Sequence, residues 1–240
     1  MGCPAAALLC RGNMTNIAYR DKNIVIVDKP VGVASQPDSS GAPDMTELVR
    51  AELASLYEPE EIYVVHRLDL VVGGLLVYAR NKATAARLGE QVSNGELGRE
   101  YIAVIEGECE SGEMSDYLVK NASLGKSIVV KKGRYGSKLA RLKYEKIDTV
   151  HTERGARTLV KIKLITGRYH QIRAQFSSRS LPLVGDSKYG SSEKTVRAPA
   201  LFAYRVNIHT DAAESFAILP DTGDYPWNLF SEEAYSKCLK

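Results

Sequence analysis

The 240-residue sequence predicts an α+β fold with a largely antiparallel, mixed β-sheet and flanking helices. Predicted strands outnumber predicted helices, and few helices fall between successive strands. Residues 158–165 show the clearest pattern, because apolar Val160 and Ile162 alternate with charged Lys161 and Lys163. Such alternation is typical of an antiparallel strand with one solvated face.

The other elements are predicted from apolar runs and capping residues. Asn23–Asp28 is an apolar run between polar residues, which indicates a buried strand. Asp44 is a typical N-cap and predicts a helix that continues to about Tyr57. Gly74–Arg80 is apolar on both faces and predicts a central strand. The remaining predicted elements are strands over Ile62–Val65, Glu100–Glu106 and Leu201–Ile208, and helices over Asn81–Gln91, Tyr169–Ser178 and Trp227–Leu239.

Length and composition predict one domain over residues 14–240, after a leader over residues 1–13 that we expect to be disordered. A hydrophobic fraction of 44% suffices for a sizeable core, and no repeat or linker-like stretch divides the chain. The four cysteines show no metal-binding spacing, which is typical of free thiols in a reducing compartment. No apolar run approaches the roughly 18 residues that span a bilayer. We therefore expect a cytoplasmic protein with no membrane partner.

Positive charge is concentrated in one stretch, although the whole chain carries only +3. Residues 120–146 contain nine basic side chains and one acid, Glu145, which gives a local charge of +8. Gly125, Gly133 and Gly136 interrupt the stretch and favour a basic hairpin or loop over a helix face. Such a hairpin indicates contact with nucleic acid, and a merely solvated face is the alternative.

Two separated segments carry the candidate chemistry. His66–Asp69 places a carboxylate between two predicted strands, and Thr166–Arg173 places an arginine in the first turn of a predicted helix. Burial would raise the pKa of the Asp69 carboxyl unless a cation kept it ionised, and Arg173 is the candidate cation. A turn-closing aspartate and a surface ion pair are the alternatives. Spacing alone leaves both interpretations open.

A metal site is the competing interpretation, since His66, Asp69 and His170 can be drawn as three ligands. The chain has only four histidines and shows no HxH or HExxH spacing. We therefore expect no metal, and we expect His66 and His170 to hydrogen-bond backbone near the motifs.

Several motifs follow one another with ordinary spacing between about Ile17 and His209. They are Asp28–Gly32, Val65–Asp69, Gly74–Val77, Arg99–Val104, Leu164–Arg173, Gly185–Gly190 and Ala200–Tyr204. Together they resemble the RluA family of pseudouridine synthases, and the resemblance is specific because the motifs occur together.

The resemblance implies the pseudouridine synthase fold, with a central RNA-binding cleft. It also implies an isomerase that acts on structured RNA, either rRNA or tRNA, by detaching uracil at N1 and rejoining it through C5. The reaction involves neither redox change nor a bond to water, so no cofactor and no metal are expected. We expect a monomer with no obligate protein partner.

The resemblance also implies three catalytic residues. Asp69 would be the carboxylate that either attacks the sugar C1′ or takes the C2′ proton. Arg173 would keep Asp69 charged and oriented. Tyr101 would stack under the uracil, close to the C5 proton, and its alternative role is that of a core-facing strand residue.

Further residues would bind the RNA. Arg67 would fill the gap left by a flipped nucleotide or hold the displaced backbone, and a structural arginine is the alternative. Arg168 and the basic stretch, with Lys131, Lys132 and Arg134, would contact phosphate.

The chain departs from the family pattern in two ways. Val72-Gly73 stands where the family usually has Thr-Ser, so two hydroxyls near the carboxylate are lost. We also expect the chain to lack the small N-terminal RNA-binding module (S4 type) of many relatives, which leaves the identity of the substrate open. Because of the two lost hydroxyls, a catalytically silent RNA-binding or assembly factor that keeps the fold is the alternative function.

Overall fold

The computed structural model describes residues 15–210 and 213–240, and these contain eleven β-strands and four α-helices. The leader predicted over residues 1–13 lies outside the described residues. The strands are β1 (Ile17–Arg20), β2 (Ile24–Lys29), β3 (Tyr63–Val64), β4 (Gly73–Ala79), β5 (Gly98–Glu106), β6 (Gly112–Asn121), β7 (Lys126–Val130), β8 (Lys138–Thr152), β9 (Gly155–Leu164), β10 (Leu201–His209) and β11 (Ala213–Ala217). The helices are α1 (Met45–Ser55), α2 (Lys82–Asn94), α3 (Gln171–Ser177) and α4 (Glu232–Leu239).

The chain forms two compact units. Among the described residues, the first unit contains those up to Gly98 and those within Ala203–Ile218, and the second contains Arg99–Phe202 and Leu219–Lys240. The unit boundaries therefore fall at the start of β5, within β10 and after Ile218. The single domain expected over residues 14–240 stays a prediction.

The first unit is organised around β2. This strand pairs antiparallel with β1 on one side and with β4 on the other, with Ile26 opposite Val77. β3 also pairs with β4, and β10 pairs with β11. Every residue of β4 is buried, which confirms the prediction of a central strand. Its apolar residues form a core with those of β2, and Leu88 of α2 packs into that core.

The helices of the first unit begin where the sequence predicts. Asp44 caps α1 by accepting a hydrogen bond from the Thr46 backbone N–H at 2.6 Å. Asn81 caps α2 in the same way, through the Thr84 N–H at 2.8 Å. Both caps satisfy backbone donors that would otherwise lack a partner at the helix start.

The second unit is an antiparallel sheet in the order β5-β9-β8-β6-β7. Val160 and Ile162 of β9 are fully buried, while Lys163 is exposed, which confirms the predicted alternation. Helix α3 packs on β6 and β7, and Phe176 meets the ring of Tyr144 edge-on at 5.2 Å. The α+β class and the antiparallel character predicted from the sequence are confirmed.

Two predicted helices differ from the structure near the C-terminal half of the chain. The helix predicted over Tyr169–Ser178 is α3, which begins only after His170 adopts a left-handed conformation (φ 51°). The helix predicted over Trp227–Leu239 is divided, because Phe230 is extended. A short 3₁₀ turn, Trp227–Leu229, precedes it, and Ser231 then caps α4.

Candidate active site

Asp69 lies in a tight turn between β3 and β4. Its residue is half-buried, and its carbonyl accepts a hydrogen bond from the Val72 N–H at 3.0 Å. The next residue, Leu70, is exposed, and the preceding Leu68 is buried. The turn therefore holds a carboxylate at the edge of the apolar core of the first unit.

A second segment, residues 32–35, clamps this turn. The Ser35 hydroxyl donates to the Leu68 carbonyl at 2.9 Å and accepts from the Leu68 N–H at 3.0 Å. The Gly32 N–H donates to the Leu70 carbonyl at 2.8 Å. The Tyr78 hydroxyl of β4 in turn donates to the Ser35 carbonyl at 2.6 Å. The backbone on both sides of Asp69 is therefore fixed by polar contacts.

Lys29 supplies a buried cation to the same turn. Its side chain has no solvent exposure, and Nζ donates to the carbonyls of Pro30 at 2.9 Å, Val33 at 2.8 Å and Leu70 at 3.4 Å. Burial lowers the pKa of the Lys29 ammonium to about 7, while the negative charge of Asp69 acts in the opposite direction. Lys29 is not among the site residues predicted from the sequence, although a lysine at the end of a buried strand was a signal.

The structure accounts for two further motif residues, His66 and Gly74. His66 is buried, and its Nε2 accepts a hydrogen bond from the Val77 N–H at 3.2 Å, as expected. Gly74 has φ 115°, and a Cβ there would lie only 2.7 Å from the Ala203 nitrogen of β10. Only glycine permits this backbone conformation together with this close approach. Arg67, by contrast, is exposed.

Arg173 of α3 is buried and held by a carboxylate that sequence reasoning missed. Its Nε donates to Asp186 Oδ2 at 2.7 Å, and its Nη2 donates to Asp186 Oδ1 at 2.8 Å. Both side chains are at least 95% buried, so this is a bidentate pair in a low-dielectric environment. The sequence signal for this partner was the Gly185-Asp186 motif. Asp69 belongs to the other unit, and its pairing with Arg173 stays a prediction.

A hydrogen-bond network joins α3 to the basic hairpin. The Tyr189 hydroxyl accepts from the Ser127 N–H at 2.7 Å and lies 3.0 Å from His170 Nδ1. The guanidinium of Arg173 lies over the Tyr189 ring at 5.0 Å. Burial is the main cause that lowers the pKa of His170 to about 3, and Arg173 and Lys188 lower it further. The bond described for His170 therefore goes to a side chain, whereas we expected backbone.

Tyr101 lies on β5, opposite Ile162 of β9. It is only 6% exposed and shares a sheet face with Ala103 and Ile105. This position fits both roles considered for Tyr101, a core-facing strand residue and a ring that stacks under the uracil. Its catalytic role stays a prediction.

The basic stretch forms the hairpin predicted from its glycines, with β6, β7 and β8 joined by two loops. Lys143 and Lys146 pair with Glu113 and Glu110, so their charge is balanced. Within residues 15–210 and 213–240, three exposed cations of the loop before β8 have no acidic partner: Lys131, Lys132 and Arg134. Arg168 is also exposed, and its Nε donates to the Leu139 carbonyl at 2.9 Å.

The described residues show neither a metal cluster nor a membrane-spanning helix. Among them, no group of three or more His, Cys, Asp and Glu side chains is placed to hold a metal ion. None of the helices in the described part of the chain is long and apolar enough to cross a bilayer.

Comparison with known proteins identifies the family. Residues 23–178 match the family described as RNA pseudouridylate synthase, and the chain therefore belongs to this family. A Bacillus subtilis relative, "Uncharacterized RNA pseudouridine synthase YhcT", is 30% identical over 80% of this chain and 63% of its own length. "Ribosomal large subunit pseudouridine synthase D" of Xanthomonas campestris is 35% identical over 75% of this chain and 53% of its own length. The chain thus spans less than two thirds of these relatives.

A solved structure confirms the fold. "Human RNA Pseudouridylate Synthase Domain Containing 1" superposes with a TM-score of 0.74 at 21% identity, over 94% of both chains. The RluA-family resemblance seen in the motifs and the pseudouridine synthase fold are therefore both confirmed.

Proposed function

We propose that this chain is an RNA pseudouridine synthase that converts specific uridines of structured RNA into pseudouridine. The observation that carries the proposal is the family match over residues 23–178, which includes Asp69, Tyr101 and Arg173. The clamped turn around Asp69 supports it, because a catalytic carboxylate must be held in a fixed direction.

The reaction needs only groups that these residues supply. The N1–C1′ bond of uridine breaks, the uracil turns, and a C5–C1′ bond forms while the C5 proton is lost and N1 gains a proton. Asp69 either adds to C1′ or takes the C2′ proton, and Tyr101 stacks on the base near C5. Arg173, fixed by Asp186, would hold Asp69 ionised. No redox step occurs, so the proposal includes neither a cofactor nor a metal.

The substrate is reached by extruding the nucleotide from the RNA stack, at a cost of a few kcal/mol. Arg67 would occupy the vacated space, and its exposure supports this role. Arg168, Lys131, Lys132 and Arg134 would contact phosphate, which their exposure likewise supports.

We propose large-subunit ribosomal RNA as the substrate class, because curated relatives carry the name "Ribosomal large subunit pseudouridine synthase D". Transfer RNA is the alternative. The proposal further includes action as a monomer in the cytoplasm, without an obligate protein partner, and one catalytic domain over residues 14–240.

The test is release of tritium from RNA labelled at uracil C5. Purified protein is incubated separately with unmodified large-subunit rRNA and with tRNA, with and without EDTA. We expect release from rRNA that EDTA leaves unchanged. Release from tRNA alone would contradict the rRNA assignment, and chelator-sensitive activity would contradict the metal-free mechanism. No release from any RNA would favour a silent RNA-binding factor, for which Val72-Gly73 is the one observation.

A further inference from the structure

We propose that a surface of the second unit, formed by Lys120, Lys126, Arg168, Tyr169 and Lys188, binds a single-stranded segment of RNA. In this surface, called the turn patch, a base stacks on Tyr169 while the cations contact flanking phosphates. The inference rests on the proposed function, since it specifies which part of the substrate RNA this protein binds.

Tyr169 is an ordered aromatic ring at the surface. It is 42% exposed, although it lies between two motif residues. His170 stacks on the ring with centroids 3.8 Å apart and planes inclined by 20°. The Lys120 ammonium lies over the ring, 4.7 Å from its centroid. A lysine side chain on the surface is flexible. An incoming base can therefore displace Lys120 and stack on the face of the Tyr169 ring that the ammonium covers.

The cations around this ring are not balanced by acids. In the portion of the chain that the structure describes, none of Lys120, Lys126, Arg168 and Lys188 forms an ion pair with a carboxylate. Lys188 Nζ and the Tyr169 hydroxyl instead donate to one carbonyl, that of Gly125, at 3.2 and 3.3 Å. Two other lysines of the same sheet do form ion pairs, Lys143 with Glu113 and Lys161 with Glu145.

The surroundings of His170 agree with this excess of positive charge. Burial lowers the pKa of His170 most, and the cations Arg173, Lys188 and Lys120 lower it further. Among the described contributors, Asp186 alone raises this pKa. The imidazole therefore stays neutral and supports the Tyr169 ring without adding charge. The unpaired cations of the turn patch therefore leave a positive potential there, which would attract a polyanion.

The turn patch is also preorganised by hydrogen bonds within the protein. The Ser127 hydroxyl donates to the Tyr169 carbonyl at 2.5 Å, and the Ser127 N–H is held by the Tyr189 hydroxyl at 2.7 Å. These bonds fix the β6–β7 turn against the segment that leads into α3. A platform ordered before binding loses little conformational entropy on association.

The combination of one ring with several cations favours nucleic acid over an acidic protein surface. Stacking on an aromatic face is open to any unpaired base, and duplex RNA hides its base faces. The chemistry recognised is therefore an unpaired nucleotide with its flanking phosphodiesters.

The experiment measures binding of a fluorescein-labelled, single-stranded 20-nucleotide RNA by anisotropy at several salt concentrations. Tyr169→Ala should weaken binding about tenfold, because base–aromatic stacking contributes about 1–3 kcal/mol per base. Tyr169→Trp should retain affinity. Tyr57→Ala, which removes a fully exposed tyrosine beside Glu58, is the matched control and should change nothing.

The cations are tested in the same assay. Replacing Lys120, Lys126 and Lys188 with Ala should lower the slope of log K against log salt by about 2, at about 0.7 per phosphate contact of a single strand. The paired control, Lys143→Ala with Lys161→Ala, should leave the slope unchanged. Melting temperatures of all variants identify any that fail to fold.

Equal affinity of folded Tyr169→Ala and wild type, or an unchanged slope in the triple variant, would overturn the inference. Displacement of the RNA by poly-glutamate as efficient as by unlabelled RNA would also overturn it, in favour of an acidic protein partner. Tritium release remains a separate readout. An active enzyme with an inert patch would refute this inference alone, and an inactive protein with a functional patch would refute the proposed function alone.

Discussion

At the scale of single residues, two buried cations are stabilised in different ways. Lys29 is surrounded by backbone carbonyls, whereas Arg173 donates two parallel hydrogen bonds to the carboxylate of Asp186. The sequence shows the charged residues but not their partners, because partner choice depends on which segments the fold brings together. From the sequence we therefore paired Arg173 with Asp69 and did not identify Asp186 as a partner.

Removing Asp186 should be costly. In Asp186→Ala the guanidinium of Arg173 remains buried without its bidentate partner, and we expect the free energy of unfolding to fall by about 3–5 kcal/mol. Urea denaturation measures this loss. Glu113→Ala removes an exposed partner of Lys143 and should cost less than about 1 kcal/mol. Similar losses in the two variants would show that the Arg173–Asp186 pair contributes no more than a surface ion pair.

Glu193 should make stability depend on pH. The Thr195 N–H and hydroxyl, together with Arg154, lower the pKa of the Glu193 carboxyl to about 2 from an ordinary 4.5. Its stabilisation is therefore complete above pH 4.5 and is lost as pH falls toward 2, because the unfolded chain takes up the proton first.

The measurement is the difference in free energy of unfolding between wild type and Glu193→Gln from pH 7 to pH 3. We expect the wild type to be more stable at pH 7 and the difference to shrink below pH 4.5. A difference that stays constant over this range would mean that Glu193 ionises equally easily in the folded and unfolded chain.

At the scale of elements, β4 depends on one glycine. Gly74→Ala would push a Cβ against the Ala203 backbone at a positive φ, so we expect a loss of several kcal/mol or failure to fold. Gly133→Ala is the control, because its φ is also positive but no atom lies within 4 Å of the added Cβ. It should cost only about 1 kcal/mol. Melting temperatures distinguish the two, and equal shifts would exclude the close approach of β10 as the cause.

The loop between β7 and β8 should contribute to RNA affinity through charge. Replacing Lys131, Lys132 and Arg134 with Ala should lower the slope of log K against log salt for substrate RNA by up to about 2 to 3. The paired lysines Lys143 and Lys146 provide the control double variant, whose slope should stay at the wild-type value. A wild-type slope in the loop variant would mean that this loop faces away from RNA.

Elements with regular patterns could be predicted closely, and irregular ones could not. The strand predicted over residues 158–165 is β9, Gly155–Leu164, because alternation reports burial directly. The helix predicted from Trp227 begins only at Glu232, since the extended Phe230 interrupts it. Ile62–Val65 forms a strand of only two residues, Tyr63–Val64. β-branched composition favours a strand, but its length depends on the partner, β4.

At the scale of the whole molecule, the proposed chemistry draws on both compact units. Asp69 and its clamp belong to the first, while Tyr101, Arg173 and the basic hairpin belong to the second. Family resemblance predicted Asp69, Tyr101 and Arg173, and the local charge predicted the basic hairpin. They could not predict the buried Lys29 beneath the Asp69 turn or the network through Tyr189, because both arise from packing between distant segments.

The measurement that tests the central claim most directly compares wild type with Asp69→Asn on rRNA labelled with tritium at uracil C5. Asparagine keeps the shape of the side chain but can neither attack C1′ nor accept the C2′ proton. We expect RNA affinity within about twofold of wild type and tritium release reduced by at least about 1,000-fold. Release within tenfold of wild type, at equal affinity, would remove Asp69 from the chemistry and contradict the proposed mechanism.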